Sequence, residues 1–299
     1  MKPDLPTPGE ASTNTELARL EHDVNTALTE IVERVRAQCI ETRRHDAVGQ
    51  LPYYLARRVH EQVAASLVLI RRGMNGAVTS NARAILDACF LLGALGSERS
   101  SDVAEAYVAY ELCVDRLMQR MAVPDTTEAT ALRPRWEATI PGFGAASSAT
   151  EAQASIATIE CVLSNLGLEA WSKKFEAIYI RKPEQVPRFT DMIDVTMFDL
   201  AQLADLDDLY KSIYWHLSES VHARNVIRDS LRLSDDGSVQ VAGATRPDLL
   251  AFALNTVIPI ANVAVTTIAR VHEVVPIAAS LRAIWEQRVV AVERDLPER

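Results

Sequence analysis

The chain is poor in cysteine, with four among 299 residues. Cys39, Cys89, Cys113 and Cys161 stand far apart with no Cys-x-x-Cys spacing. That excludes a zinc ribbon and a paired redox site, and it fits free thiols in a reducing cytoplasm. A Gly-rich phosphate loop, a Gly-x-Ser-x-Gly nucleophile elbow and an internal repeat are all missing, so P-loop hydrolysis, α/β-hydrolase chemistry and a solenoid have no sequence support. Basic excess is also lacking: 31 Lys and Arg face 40 Asp and Glu, for a net charge of −9 and a pI near 5.3. Gripping duplex DNA requires a basic face that neutralises phosphates, so duplex DNA is not an expected partner, although a local basic groove is compatible with the total. The opening residues, Met1 to Gly9, have no apolar core and hold three prolines. Residues 1–14 therefore read as a flexible arm and not as a signal peptide.

What the chain does have is helical periodicity. Apolar residues make up 48% of it, enough to bury a large core. Leu17, Leu20, Val24, Leu28, Ile31, Val32 and Val35 recur at threes and fours, as they do on one face of a helix. A second helix is expected from Pro52 or Tyr53 to Arg72, with Val59, Val63, Ala64, Leu67, Val68 and Ile70 inward. A third, about Ala77 to Leu95, is apolar nearly all round after Arg83 and so should be central. A fourth, capped by Ser101-Asp102, runs to about Met121. Prolines and glycines then mark a connector over 123–149 between a helical half at 15–122 and another at 150–299, the two packing as one domain. In the second half, helices are expected over 150–166, closed by Gly167, over Phe189 to Leu203, and over Leu206 to Asn225. Asp235-Asp236-Gly237 between Leu233 and Gly243 suggests a small hairpin. The uncharged run Leu249 to Ala269 is long enough to cross a bilayer, but its Asn, Thr and Pro residues favour a buried core helix kinked at Pro259, with no membrane expected. The fold class is all-α, a multi-helix bundle with one small β-hairpin.

The densest chemistry lies between Tyr210 and Arg232. Tyr214, Ser218 and His222 are spaced by four, which aligns phenol, hydroxyl and imidazole along one helical stripe. Such a stripe can set a general base beside a hydroxyl, or it can be the polar interior of a helix interface. Arg224, Arg228 and Arg232 continue as a cationic stripe below His222 and point to an anionic partner. Arg83 and Asp87 lie one turn apart on the third helix, either as a structural ion pair or as an arginine oriented by its neighbour toward a ligand or phosphate. The basic stretch Trp171 to Arg188 reads as a solvated surface or the rim of an anion site. Glu219-x-x-His222 has di-iron ligand spacing, but a second such pair is absent; with His216 as the other nearby ligand, no metal is expected. No cofactor is expected either.

The pattern Tyr214-x-x-x-Ser218-x-x-Val221-His222, preceded by Ala82-Arg83-Ala84-Ile85-Leu86-Asp87-Ala88, resembles the bacterial helical family of unknown function DUF5677. The likeness runs from about Tyr53 to Arg270 and includes Trp171-Ser172-Lys173-Lys174 and Asp235-Asp236-Gly237. It implies a helical fold without an established activity, and it suggests a stress- or defence-related context. The family's Tyr-Arg…His helix, which the stretch Tyr214 to His222 resembles, is also similar to the Arg-x(4 to 6)-His signature of HEPN nucleotide-binding and RNA-cutting proteins. Trp215 stands where the arginine of that signature would precede His222, and Lys211 is too far upstream to replace it.

Two function classes follow. The first is a cytoplasmic binding or accessory protein with a polar patch of Arg83, Asp87, Tyr214, Ser218 and His222, taking an anionic small molecule or RNA, with self-association left open. The alternative is a divergent HEPN-like ribonuclease or nucleotide-transfer enzyme, in which His222 shuttles a proton and Arg83, Arg224 or Arg228 holds phosphate.

Overall fold

The computed structural model describes residues 8–41, 47–72, 74, 77–131, 134, 137–138, 149–183, 185–221, 231–233, 239–241 and 247–272, with six further positions between 279 and 287. It is a helical protein. The helices are α1 (Pro8–Glu41), α2 (Leu51–Arg71), α3 (Val78–Ala94), α4 (Ser100–Arg120), α5 (Thr127–Ala131), α6 (Ala149–Asn165), α7 (Glu169–Arg181), α8 (Phe189–Met192), α9 (Met197–Leu203) and α10 (Asp207–Leu209). A π-helical segment, Tyr210–Tyr214, leads into α11 (Trp215–Val221). Two three-residue strands, β1 (Leu231–Leu233) and β2 (Val239–Val241), pair antiparallel with Leu231 opposite Val241, and α12 (Pro247–His272) follows. The turn expected at Asp235-Asp236-Gly237 lies outside the described residues.

By packing, the chain forms two compact units. The first unites residues 1–45, 52–97 and 197–299; the second comprises 46–51 and 98–196. The cause is the pairing of α3 with α12, which brings the last third of the chain back to the first and leaves the middle to fold around α4.

In the first unit, α3 is the axis. Apart from its polar edge it is buried from Val78 to Ala94, because α12, α9 and α11 all pack on it. From α12 come Ala253, Val257, Ile260, Ala261, Ala264 and Ile268, all buried. Their spacing of threes and fours is the apolar face that the uncharged run had promised. Pro259 sits inside this helix on its exposed side, where the loss of one backbone donor is least costly. The segment Ala253–His272 is long and apolar enough to cross a membrane by length and composition, and half of it is buried by the protein's own helices. Gly93 of α3 lets α9 approach closely: a Cβ placed there would lie 2.3 Å from the Ala204 Cβ.

The predicted stripe of α1 is buried throughout, from Leu17 to Val35. The helix itself begins at Pro8, so the last part of the supposed flexible arm is helical; proline at a first turn has no donor to lose. On α2, Val68 faces solvent, since the apolar stripe follows Val59, Val63, Leu67 and Ile70 and leaves Val68 one position off it.

The second unit is organised by α4, against which α5, α6, α7 and α8 pack. Its start is Ser100, with Arg99 at the N-cap and no side-chain cap, one residue ahead of the expected Ser101-Asp102 cap. Gly167 ends α6 at φ +70, the left-handed conformation that glycine adopts freely. The expected single helix from Phe189 to Leu203 is two, because Asp194 takes φ 53 between them; Asp is among the few non-glycine residues that tolerate this region. Within the expected connector, Thr126 Oγ1 accepts the Ala129 N–H at 3.0 Å and so caps α5.

Candidate functional site

The expected helix Leu206 to Asn225 is not a plain α-helix. Its Tyr210–Tyr214 turn is π-helical, and such turns persist only where surrounding contacts hold them, frequently at functional sites. Here the holding contacts are aromatic. Tyr210 and Tyr214 stack at 4.7 Å with planes 21° apart, Tyr214 meets Phe90 of α3 at 5.4 Å, and Tyr210 meets Phe198 of α9 at 5.3 Å. Ring contacts of this kind supply roughly 0.5–1.5 kcal/mol each beyond burial.

The wall so formed presents the Tyr214 hydroxyl to the polar edge of α3. Arg83 Nη2 donates to the Tyr214 oxygen at 2.8 Å, and the Tyr214 hydroxyl donates to Asp87 Oδ1 at 2.9 Å. Arg83 also lies over the Tyr214 ring, 4.4 Å from its centroid, a cation–π arrangement. The direct approach of Arg83 Nε to Asp87 Oδ2 is longer, 3.8 Å. The phenol is therefore the bridge between cation and anion. One further donor remains: Arg83 Nη1 is buried with no hydrogen-bond partner among the described residues.

Tyr214 is buried, while the side chains of Arg83 and Asp87 keep 21% and 43% of their surface open. The constellation is thus open along the carboxylate edge. Even so, the helices around Asp87 displace enough hydration to raise its pKa above the ordinary carboxylate value; the Tyr214 hydrogen bond and the charges of Arg83 and Arg58 oppose that shift without cancelling it. Burial, reinforced by the Asp87 charge, pushes the Tyr214 phenol well above its usual value, so it stays protonated near neutral pH and acts as a fixed relay of hydrogen bonds.

Of the sequence-predicted residues, the structure brings Arg83, Asp87 and Tyr214 into contact across more than a hundred positions and sets Ser218, half-buried, one turn beyond Tyr214. His222, Arg224 and Arg228 lie outside the described residues. From the basic stretch, Lys174 pairs with Asp194 at 2.6 Å and Arg188 with Asp191 at 2.9 Å, both in the second unit. Among the described residues no group of three or more His, Cys, Asp or Glu is placed to hold a metal ion. A groove of about 450 Å³ lies elsewhere, along α1 at Glu21, His22, Asn25, Thr26 and Thr29.

The sequence reading missed two things. One is the aromatic wall, whose members are distributed over three segments. The other is a buried ionic cluster in the second unit, where Arg116 donates to Ser172 Oγ at 2.9 Å and to Glu176 at 2.8 Å. Arg120 reaches Glu176 at 3.0 Å and the buried Glu128 at 3.6 Å. A signal was available: Arg116 falls beside Cys113 and Leu117 on the apolar stripe of α4, where a charge needs partners.

Fold and site together define an all-helical protein that clamps an arginine and a carboxylate through one buried tyrosine. The model of a family of unknown function, DUF5677, matches residues 50–238, more than half of the chain, and the protein belongs to that family. The matched span contains Arg83, Asp87, Tyr214 and Ser218, and it excludes α1 and α12. No curated protein and no solved structure matches the chain.

Proposed function

We propose that this is a cytoplasmic binding or accessory protein, acting in a stress or defence context, whose Arg83–Tyr214–Asp87 constellation receives a small anionic ligand. The observation that carries the reading is the state of Arg83. Its guanidinium is held by a hydrogen bond at 2.8 Å and by the ring beneath it at 4.4 Å, yet Nη1 is buried without a partner. Buried donors left unmatched cost free energy, and a bound acceptor is one way to recover it. A cation fixed in advance also loses little entropy on binding. The net charge of −9 supports a small anion over a long polyanion, which would be repelled by the rest of the surface.

The test is thermal shift and calorimetric titration of the full chain with inorganic phosphate, adenosine monophosphate and a short single-stranded RNA. Stabilisation by one of the small anions, lost in Arg83→Met with the helical circular dichroism intact, is the expected result. No response to any of them, or a response that Arg83→Met leaves unchanged, overturns the proposal. Cleavage of mixed RNA, abolished by His222→Ala, would replace it with the HEPN-like nuclease reading. For that alternative the exposed Trp215, standing where its arginine would be, removes the cation that ribose-phosphate chemistry needs.

A further inference from the structure

We infer that Arg270, near the end of α12, is a positioning residue for the Tyr214 relay: it holds the turn from which the Tyr210–Tyr214 segment starts. The geometry of the relay is independent of any ligand, and the consequence for binding rests on the anion-binding reading above. Arg270 lies beyond residues 50–238 that the family model matches, so the site draws on a helix outside that span. The turn itself is built by the backbone. Helix α9 ends in a left-handed residue, Asp205 at φ 59. Leu206 N–H reaches back to the Ala201 carbonyl at 2.8 Å and Asp205 N–H to the Gln202 carbonyl at 3.0 Å, the pair of bonds that closes a helix in a Schellman motif. The Ala204 carbonyl follows them on a fully buried residue, where an unpaired backbone acceptor is costly. Arg270 Nη2 donates to it at 2.7 Å, a short, charge-assisted bond. Arg270 Nη1 also approaches Asp205 Oδ2 at 3.9 Å, but that carboxylate is 91% open, and an exposed pair contributes little. Ala204 rests in addition against Gly93 of α3, where an added Cβ would lie 2.7 Å from the Ala204 Cα. The turn is thus tied to α12 by a side chain and to α3 by the lack of one.

The turn matters because it is the corner between two rings that touch. Phe198 stands before it on α9 and Tyr210 after it, and their centroids are 5.3 Å apart. Lys211 makes a second contact across the corner, its Nζ 5.5 Å from the Phe198 centroid. Tyr210 N–H donates to the Leu206 carbonyl at 3.2 Å, so the π-helical segment is bonded directly to the end of the turn. Tyr210 then stacks on Tyr214 at 4.7 Å, whose oxygen accepts from Arg83 and whose proton goes to Asp87. Freed at Ala204, the turn changes the angle at which the chain leaves α9. That slides Tyr210 off Phe198 and moves the phenol relative to Arg83.

The experiment is NMR of the full chain with isotope-labelled tyrosine rings. The Tyr210 and Tyr214 signals are assigned by their loss in Tyr210→Phe and Tyr214→Phe, and Tyr107, Tyr110 and Tyr179 of the second unit serve as reference. In Arg270→Met the Tyr210 and Tyr214 signals should shift by more than a linewidth while the reference signals stay. Arg270→Lys, which keeps a cationic donor, should shift them less and in the same direction, and Asp205→Asn should leave them in place. A loss of stability alone does not move the signals of the folded protein. Unmoved Tyr214 signals in Arg270→Met therefore overturn the inference, as does an Asp205→Asn shift as large as that of Arg270→Met. Should Arg270→Met fail to fold, Arg270→Lys against Asp205→Asn decides: a shift in the first alone supports the role, and none in either overturns it. Titration with sodium phosphate reads the consequence for binding, where Arg270→Met should weaken affinity by roughly two- to thirtyfold; an unchanged affinity overturns that consequence. If the rings move and the wild type binds none of the three probes named above, the positioning role stands and the anion-binding reading falls.

Discussion

Replacing Tyr214 by phenylalanine is the sharpest perturbation of the first unit, because it deletes one oxygen and little else. The ring keeps its stack on Tyr210 at 4.7 Å, its contact with Phe90 at 5.4 Å and its place under Arg83. What disappears is the relay: the hydroxyl that accepts from Arg83 and donates to Asp87. A hydrogen bond to a charged group contributes about 1.5–3 kcal/mol. Water can partly replace the donor lost to Asp87, whose side chain is 43% open, and less readily the acceptor lost to Arg83, which is 21% open. The expected net cost is therefore about 1.5–3 kcal/mol and not the sum of two full bonds. For a unit of this size, at about 2–4 °C per kcal/mol, that lowers the melting temperature by roughly 3–12 °C. Two units make a single global transition unsafe as a readout, so the assay is amide hydrogen exchange along α3, with α4 as the internal reference. A cycle with Arg83→Met should show a coupling of roughly 0.5–3 kcal/mol. Protection of α3 unchanged to within about 0.5 kcal/mol, together with zero coupling, would refute the claim that the phenol bridges the pair.

Gly93→Ala forces a Cβ to within 2.3 Å of the Ala204 Cβ; we expect a loss of about 1–3 kcal/mol by chemical denaturation, with Ala204→Gly restoring part of it in the double variant. His272 is desolvated at the end of α12, and its pKa is lowered; Nδ1 faces Gln38 Oε1 at 3.2 Å, and Nε2 has no partner among the described residues. With the folded pKa below the unfolded value of about 6.5, the contribution is full above pH 6.5 and is lost as the pH falls through the folded pKa. His60 is shifted the same way by burial, so the acid limb of a stability-versus-pH curve should flatten in steps with His272→Gln and then His60→Gln; an unchanged limb contradicts this. In the second unit, Arg116→Met removes the cation between Ser172 and Glu176 and should cost about 3–5 kcal/mol, as breaking a buried pair does. The Arg116→Met, Glu176→Met double variant should recover part of that loss in hydrogen exchange on α4.

Local periodicity made the helices legible and left their partners obscure. The stripe of α1 could be read from Leu17 to Val35 because each buried residue repeats at threes and fours. The all-round apolar α3 could be recognised as central for the same reason. The division into units could not, since it depends on α12 choosing α3, and an apolar face carries no label of its partner. Asp194 marks the limit from the other side: its positive φ ends a helix in mid-pattern, at a residue that propensity alone reads as unremarkable. In the site, Arg83 and Asp87 were visible as neighbours at i and i+4, and Tyr214 and Ser218 likewise. That Tyr214 stands between Arg83 and Asp87 is tertiary information, carried by helix packing.

The π-helical turn ties these levels together. A turn with i to i+5 bonding holds about one residue more than an α-turn, so the face presented before Tyr210 does not continue in register after Tyr214. Residues four apart share a face of the helix, and Tyr210 and Tyr214 stack there with planes 21° apart. Left to itself the segment would relax to the α form, since the wider turn gains nothing locally. It is kept by Phe90 and Phe198, which grip the two rings, and by Arg83 and Asp87, which hold the phenol oxygen from two sides. The irregular turn and the polar triad therefore stabilise each other, and the aromatic wall fixes where the hydroxyl points. A relay preformed in this way is what the proposed anion site would require.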